Sequence, residues 1–500
     1  MLNYSLKEVK KLVNRYKKEV LEGYTLVIPL YKEVFVDTET PVSIFLKLAE
    51  EEDFAYLLES AQTSLHWGRY SFISFLPHKV FEVDKIKEDT LEKFRREINK
   101  YFVPKEVRSS LPRFFGGYVG YFSYELIHQI EPVVPKPKKE YIVSVPEVFF
   151  MFNCVTLIFD HFLNRVKIVY MLTIDDFGKI ETLYDIAEEK VEIIVEKLHN
   201  KSVTPKSLRY INIDENKLIE KYQSNISKQD FVSKVKKTIE YIRQGDIIQA
   251  VISRKLSKET SAEPFDIYRS LRVINPSPYM FYLKFRDICL MGSSPEVLVR
   301  KEDNIVETKP IAGTRPRSAD EEKDKFYEKE LISSEKENAE HIMLVDLARN
   351  DIGRISEYGS ITLPQLRVIE RFSHVMHIVS SVKGVLKKEY DSIDVLKAVF
   401  PAGTVSGAPK VRAMQIISEL EEMTRGYYAG AVGYFSLTGN MDMAITIRTI
   451  LYTKGRVFVQ SGCGIVADSV PEEEYKESVN KAKALLLAIK IAESNKNAED

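Results

Sequence analysis

Four glutamates pose the chemical question. Glu337 and Glu340 near mid-chain, and Glu474 and Glu477 near the end, form two acidic i,i+3 pairs on segments with a helical pattern. That spacing projects both carboxylates from one helix face. Two such faces turned toward each other would supply hard oxygen ligands for Mg²⁺ sharing an anionic substrate. Most glutamates are solvated, so each pair taken alone also describes an ordinary helix surface. Lys481, four residues after Glu477, reads equally as a helix ion pair worth roughly a few tenths of a kcal/mol.

Three further stretches carry chemistry. Residues 309–317 present Lys309, Gly313, Thr314, Arg315 and Arg317 between prolines. An irregular turn is expected there, with amides and guanidinium groups suited to a carboxylate or phosphate; its composition also fits a plain basic loop. Residues 400–410 form a small-residue loop containing Gly403, Thr404 and Gly407 that runs into a helical pattern over 411–420. Amides at such a helix start bind anions. Ala408 and Pro409 stand where a Walker A loop needs glycine and lysine, which disfavours a nucleotide phosphate. Residues 460–471 place Gly462, Cys463 and Gly464 ahead of Ser469 and Pro471. The glycines let backbone approach a ligand closely, and Ser469 with Glu472 resembles a capping box with proline in the first turn. Cys463 has no basic partner nearby in sequence and reads as structural. His374 and His377 lie in a β-branched run that argues for a strand, where they point to opposite faces. One of them facing an acidic site would suit proton transfer near neutral pH.

Positioning these groups takes more than one folding unit, and 500 residues with 44% hydrophobic content suffice for two or three. Short β-branched and aromatic runs at 54–58, 70–75 and 142–152 predict mostly sheet from 24 to about 170. An amphipathic helix is expected over 179–199, and residues 200–210, with Pro205, read as a linker. From about 229 a helix pattern at 231–244 and a strand pattern at 247–255 open a mixed α/β block. Lys+Arg of 72 against Asp+Glu of 73 gives a net charge of −1, so no global field favours nucleic acid or an anionic membrane. Cys154, Cys289 and Cys463 lie far apart without a CxxC spacing, which points to reduced thiols and a cytoplasmic setting. The first 23 residues lack an apolar secretion core, and the apolar runs at 148–152 and 484–489 are too short to span a membrane.

Taken in order, residues 245–254, 292–299, 310–317, 337–354, 401–412 and 462–481 resemble the chorismate-binding enzymes in motif and spacing. The chain is similar to the anthranilate synthase component I family over nearly all of 229–490. A second match over 24–152 includes Gly116, Gly117 and Gly120. The resemblance implies an α+β (mixed α/β) fold of large antiparallel β-sheets packed with helices. It implies a regulatory region at 20–165, a linker at 200–210 and a catalytic domain at 228–490. Gln249 stands where isochorismate and salicylate synthases place a lysine that activates water. Ala312 stands where aminodeoxychorismate synthases often carry a lysine able to attack the substrate. Both positions favour attack by ammonia, giving an amino intermediate that loses pyruvate to form anthranilate.

By the same resemblance Glu340 and Glu477 would coordinate Mg²⁺, with Glu337 and Glu474 behind them orienting bound water. Glu296 would be the acid that protonates the departing ring hydroxyl, which requires a carboxyl kept neutral by its surroundings. His377 would assist pyruvate elimination, and Thr404 stands with these two as a catalytic group. Arg448, Tyr428 and the backbone of Gly462, Cys463 and Gly464 would hold the enolpyruvyl carboxylate of chorismate. Gln249, Gly313, Thr314 and Lys481 complete the substrate pocket. Cys463 replaces the alanine common at its position.

Glu59 and Ser60, together with Pro278, Tyr279 and Met280, resemble the two halves of the family's tryptophan-binding site, which implies feedback inhibition by L-tryptophan. The chain shows no glutaminase domain, so the resemblance implies ammonia channelled from a glutamine amidotransferase subunit, anthranilate synthase component II. The nearest enzymatic alternative is aminodeoxychorismate synthase component I, which leaves the enolpyruvyl group attached. A reading of a different class is an amino-acid-sensing protein that keeps the fold without catalysis.

Overall fold

In this computed structural model the described residues are 2–61, 68–140, 143–203, 208, 218–371 and 375–496. His374, residues 141–142 and most of the expected linker, namely 204–207 and 209–210, lie outside them. Within them, twenty-one strands join into one hydrogen-bonded network, almost wholly antiparallel, with helices packed on it. The fold class expected above is the one observed.

The strand Val148–Asp160 is the trunk of that network. All but one of its side chains are buried, as expected for a long apolar run with both faces covered. It pairs with Tyr70–Val83, Gly117–Phe122 and Arg165–Ile174 along its length. Two ladders leave it. The first runs through Tyr70–Val83 and Phe54–Glu59 to Tyr279–Phe285, Ile288–Ser294, Thr449–Thr453, Arg456–Ile465 and Gln249–Glu259. The second runs through Gly117–Phe122 to Ala431–Ser436, Met441–Ile445, Val297–Glu302, Ile305–Thr308 and Val375–Val385. Ile311–Pro316 and Thr362–Arg371 flank the last of these. The chain crosses from the first ladder to the second between Ser294 and Val297, and returns between Ile445 and Thr449. Those two crossings carry Glu296 and Arg448.

Where early and late strands meet, Phe94 packs against Phe122, Phe150 and Phe435 with ring centroids 5.5, 4.6 and 5.2 Å away. Each such ring contributes roughly 1.5–3 kcal/mol by leaving water. Beside this cluster a Cβ at Gly120 would fall 1.8 Å from the Phe149 carbonyl oxygen, so only glycine lets Gly117–Phe122 close on Val148–Asp160.

Three local expectations change. The strand expected over 142–152 begins at Val148, because Pro146 has no amide for a ladder; its carbonyl accepts the Tyr121 hydroxyl at 2.6 Å instead. The irregular turn expected at 309–317 is the strand Ile311–Pro316, its register shifted between Ala312 and Arg315. Gly313, at φ +67°, supplies the backbone freedom this bulge needs. Ser469 donates to Glu474 Oε1 at 2.6 Å rather than capping with Glu472, so it serves the site instead of the helix end. Among the described residues no helix is long and apolar enough to cross a membrane.

Candidate active site

At the two crossings the ladders open a cavity of about 580 Å³. The helix Glu335–Gly353 brings Glu337 and Glu340 to it, and the helix Pro471–Lys496 brings Glu474, Glu477 and Lys481. The first ladder contributes Gln249, Gly462 and Gly464, and the second contributes Gly313, Thr314 and His377. Thr404 and Tyr428 enter from loops, and Glu296 and Arg448 from the crossings. The exception among the expected residues is Cys463. Strand alternation turns its side chain toward a cluster with Phe231, Val235 and Ile416, and its neighbours Gly462 and Gly464 line the cavity in its place.

Glu296 is the most perturbed carboxyl facing the cavity. Burial pushes it up to about 7, against a Thr404 hydroxyl and the Lys481 charge that pull it down. Thr404 Oγ1 donates to Glu296 Oε1 at 2.8 Å, which fixes the carboxyl while its other oxygen stays free of that bond. A carboxyl with this pKa carries a proton it can give away near neutral pH.

His377 Nδ1 lies 2.8 Å from the Gly313 carbonyl oxygen. A carbonyl only accepts, so Nδ1 carries the proton and Nε2 holds the lone pair. Burial and the nearby Arg448 charge lower its pKa, against the Gly313 bond, which favours the neutral ring. Arg448 sits at φ +50°, a costly conformation for a side-chain-bearing residue that recurs at functional sites. Its guanidinium donates to the Lys481 carbonyl, and burial lowers its pKa. A Cβ at Gly464 would meet Gln249 Nε2 at 2.4 Å and push that amide aside. That amide nitrogen reaches Glu340 Oε1 at 3.4 Å.

The two glutamate pairs look onto one cavity but do not form a closed cage. Among the described residues no three His, Cys, Asp or Glu side chains stand close enough together to hold a metal ion. Burial and the charge of Glu337 raise the pKa of Glu340. Burial and Glu477 raise that of Glu474, with Ser469 and the Cys463 thiol opposing. Glu474 Oε2 is buried without a hydrogen-bond partner, and Glu477 pairs with Lys481 at 2.6 Å. Carboxylates held under mutual repulsion, one oxygen unmet, fit a divalent cation. Mg²⁺ in particular takes one or two protein carboxylates and fills its remaining positions with water and substrate oxygens.

Comparison with known proteins settles the lineage. The family described as chorismate binding enzyme matches residues 53–487. This chain belongs to it. Anthranilate synthase component 1 of Aquifex aeolicus is 48% identical over 99% of both chains. Its namesake from Acetivibrio thermocellus is 46% identical over 98% of both. The crystal structure of anthranilate synthase component I from Streptococcus pneumoniae TIGR4 superposes with a TM-score of 0.74 at 35% identity, covering 91% of this chain and 99% of that one. The protein is therefore an enzyme of the chorismate-utilising family.

This chorismate-binding enzyme has a second cavity, of about 500 Å³, and all five residues expected for an inhibitor line it: Glu59, Ser60, Pro278, Tyr279 and Met280. Glu59 stands opposite Met280 in the pairing of Phe54–Glu59 with Tyr279–Phe285. Its Oε2 accepts from the Tyr268 hydroxyl at 2.7 Å and Arg272 Nε at 3.1 Å. Tyr279 donates to Asp442 Oδ1 at 2.9 Å, and Arg300 Nε donates to Asp442 Oδ2 at 2.8 Å. Met280 pairs on its other side with Ser293, whose amide donates to the Arg448 carbonyl at 3.0 Å.

Sequence reasoning missed Gln460, Arg300 and Asp442. Gln460 lines the first cavity, and the two-residue period of a strand through Gly462 and Gly464 would have found it. Arg300 and Asp442 line the second cavity and are cross-strand partners 142 residues apart; no local pattern announces them.

Proposed function

We propose that this enzyme converts chorismate and ammonia to anthranilate and pyruvate, the opening step of tryptophan synthesis, with Mg²⁺ bound and L-tryptophan as feedback inhibitor. Ammonia reaches it from a glutamine amidotransferase partner, in the cytoplasm, where its three free thiols stay reduced. One observation carries the reading: a half-buried, singly anchored carboxyl with a pKa raised to about 7, Glu296, looks into a cavity that offers no lysine at Gln249 or Ala312 to compete with ammonia as nucleophile or to activate water. The names of the relatives above support the same assignment.

In this mechanism Glu296 gives its proton to the ring hydroxyl, which departs as water as ammonia adds to the ring, and the ammonium so formed returns a proton to the Glu296 carboxylate. Thr404 keeps the carboxyl aimed and, by favouring the ionised form, eases the transfer. His377, lone-paired at Nε2, takes the ring proton as the enolpyruvyl C–O bond breaks, and that proton passes on to the methylene carbon of the departing enolate to give pyruvate. Arg448, Tyr428 and the amides around Gly462 and Gly464 hold the enolpyruvyl carboxylate, away from the acidic pairs. Glu340 and Glu477 would hold Mg²⁺, with Glu337 and Glu474 behind them, and the bound ion would supply positive charge for the ring carboxylate of chorismate. Tryptophan would seat its amino group at Glu59 in the second cavity. The backbone path from Met280 through Ser293 to Arg448 supports coupling between the two sites.

The test mixes the purified chain with chorismate, Mg²⁺ and ammonium at alkaline pH and follows anthranilate fluorescence and pyruvate. Anthranilate that disappears with EDTA and falls with tryptophan is the expected result. Chorismate consumed without pyruvate moves the assignment to aminodeoxychorismate synthesis, and no consumption with Mg²⁺ present moves it to a sensing role.

A further inference from the structure

Behind the first cavity, and outside its lining, lies a buried ion pair that the mechanism above does not use. Arg425 and Glu421 are 1% and 7% exposed and joined by a fork, Nε to Oε2 at 2.8 Å and Nη2 to Oε1 at 2.6 Å. Stability is a poor reason for such a pair, because desolvating both ions commonly cancels the attraction and apolar replacements are often neutral or better. The rest of its bonds suggest a different role. Arg425 Nη1 donates to the Val405 carbonyl at 2.7 Å, and Nη2 donates to the Val251 carbonyl at 2.7 Å. Glu421 Oε1 accepts from the Ser253 amide and hydroxyl at 2.8 and 2.9 Å, and Ser253 Oγ in turn accepts from Gln460 Nε2 at 2.8 Å. The guanidinium also lies over the Tyr428 ring, 5.7 Å from its centroid. Glu125 holds the Arg425 and Gly426 amides at 2.7 and 3.0 Å, so the arginine is itself fixed.

We propose that Arg425, locked by Glu421, is a positioning residue that sets the separation of three walls of the chorismate cavity. Val405 follows Thr404, the donor to Glu296. Val251 lies two residues from Gln249, on the same face of its strand. Tyr428 is a wall residue in its own right. One planar guanidinium thus ties the turn Gly403–Val405, the strand Gln249–Glu259 and the loop bearing Tyr428 into a single frame, which a point charge such as lysine does not reproduce. Of the groups that would hold the substrate carboxylates the frame touches Tyr428 alone, while Arg448 and the Mg²⁺ that the acidic pairs would hold lie outside it, so loosening the frame moves the proton donor more than it weakens substrate binding. The inference rests on reading the cavity as a chorismate site.

The experiment compares the full chain with Arg425→Lys and with the apolar double variant Glu421→Leu/Arg425→Met, using anthranilate turnover and thermal melting. Displacing a reacting group by about 1 Å costs on the order of 10²-fold. Arg425→Lys is therefore expected to lower kcat by about that factor while leaving KM for chorismate within about threefold. The double variant leaves the Val405 and Val251 carbonyls and the Ser253 amide without these partners, so it is expected to melt lower than the unaltered chain and, where folded, still to show the kcat loss. Folded Arg425→Lys with unaltered kcat and KM overturns the inference, as does a KM rise that accounts for the whole loss. If the double variant fails to fold, Arg425→Lys decides alone. An unaltered chain that makes no anthranilate indicts the reading of the cavity, and that failure is distinct because it precedes any variant.

Discussion

The two cavities are of similar size, about 580 and 500 Å³, yet treat buried charge in opposite ways. In the second, each charge is answered before any ligand arrives: Glu59 by Tyr268 and Arg272, and Asp442 by Arg300 and Tyr279. In the first, Glu296, Glu340 and Glu474 are all pushed toward their neutral forms by burial, and one oxygen of Glu474 has no partner. A buried carboxylate without a counter-charge is unstable as an ion. It either keeps its proton, as an acid catalyst must, or waits for a cation. On the proposed function, the first cavity would take up charge and exchange protons, whereas the second would recognise a ligand without altering it.

The largest expected break in that contrast is Glu296→Gln, which removes the donor and should lower kcat by about 10²–10⁴-fold. The same variant should be more stable than the unaltered chain at pH 8. A pKa raised from 4.5 to about 7 gives stability that is present below about 4.5 and lost as pH rises through about 7; glutamine has no proton to lose. Asp442→Asn tests the opposite prediction in the second cavity. It strands Arg300, and breaking a buried pair costs about 3–5 kcal/mol, read as a lower melting temperature. Charge removal should thus stabilise one cavity and destabilise the other. Glu474→Gln should weaken Mg²⁺ binding by about 10–100-fold, measured by calorimetry as well as by turnover. Glu59→Gln exchanges a charge-assisted contact for a neutral one, and should raise the tryptophan concentration for half-inhibition by about tenfold. The smallest effect is on pH dependence. At constant free ammonia, turnover should fall as pH rises through about 7, where Glu296 ionises. Thr404→Val should move that limb upward, because the hydroxyl it removes lowers the pKa.

How much of this was legible depended on sequence distance. The glutamate pairs, the strand bearing His377 and the glycines at 462 and 464 announce themselves within a few residues, because helix and strand periods are local. Tyr279 was legible as a ligand contact, but its hold on Asp442 and that residue's bond to Arg300 was not, since strand pairing alone brings them together. The bond from Arg425 to the Val251 carbonyl spans 174 residues and leaves no trace in any short window. Gly313 and its flanking prolines read as a turn, and pairing with Val375–Val385 overrode that local preference. The glycine then appears as a bulge, aiming a carbonyl at His377.

The crossed ladders also govern what happens if the chain is severed. Phe54–Glu59 and Gly117–Phe122 belong to the first half of the sequence, but their onward partners, Tyr279–Phe285 and Ala431–Ser436, belong to the second. A gene split anywhere in 201–217 would leave each fragment with two raw, apolar strand edges, the form that invites aggregation. Neither fragment should survive expression by itself, while the pair produced together in one cell should mend along those seams. On the proposed reaction, the enzyme would then be a self-assembling split reporter whose signal is anthranilate fluorescence.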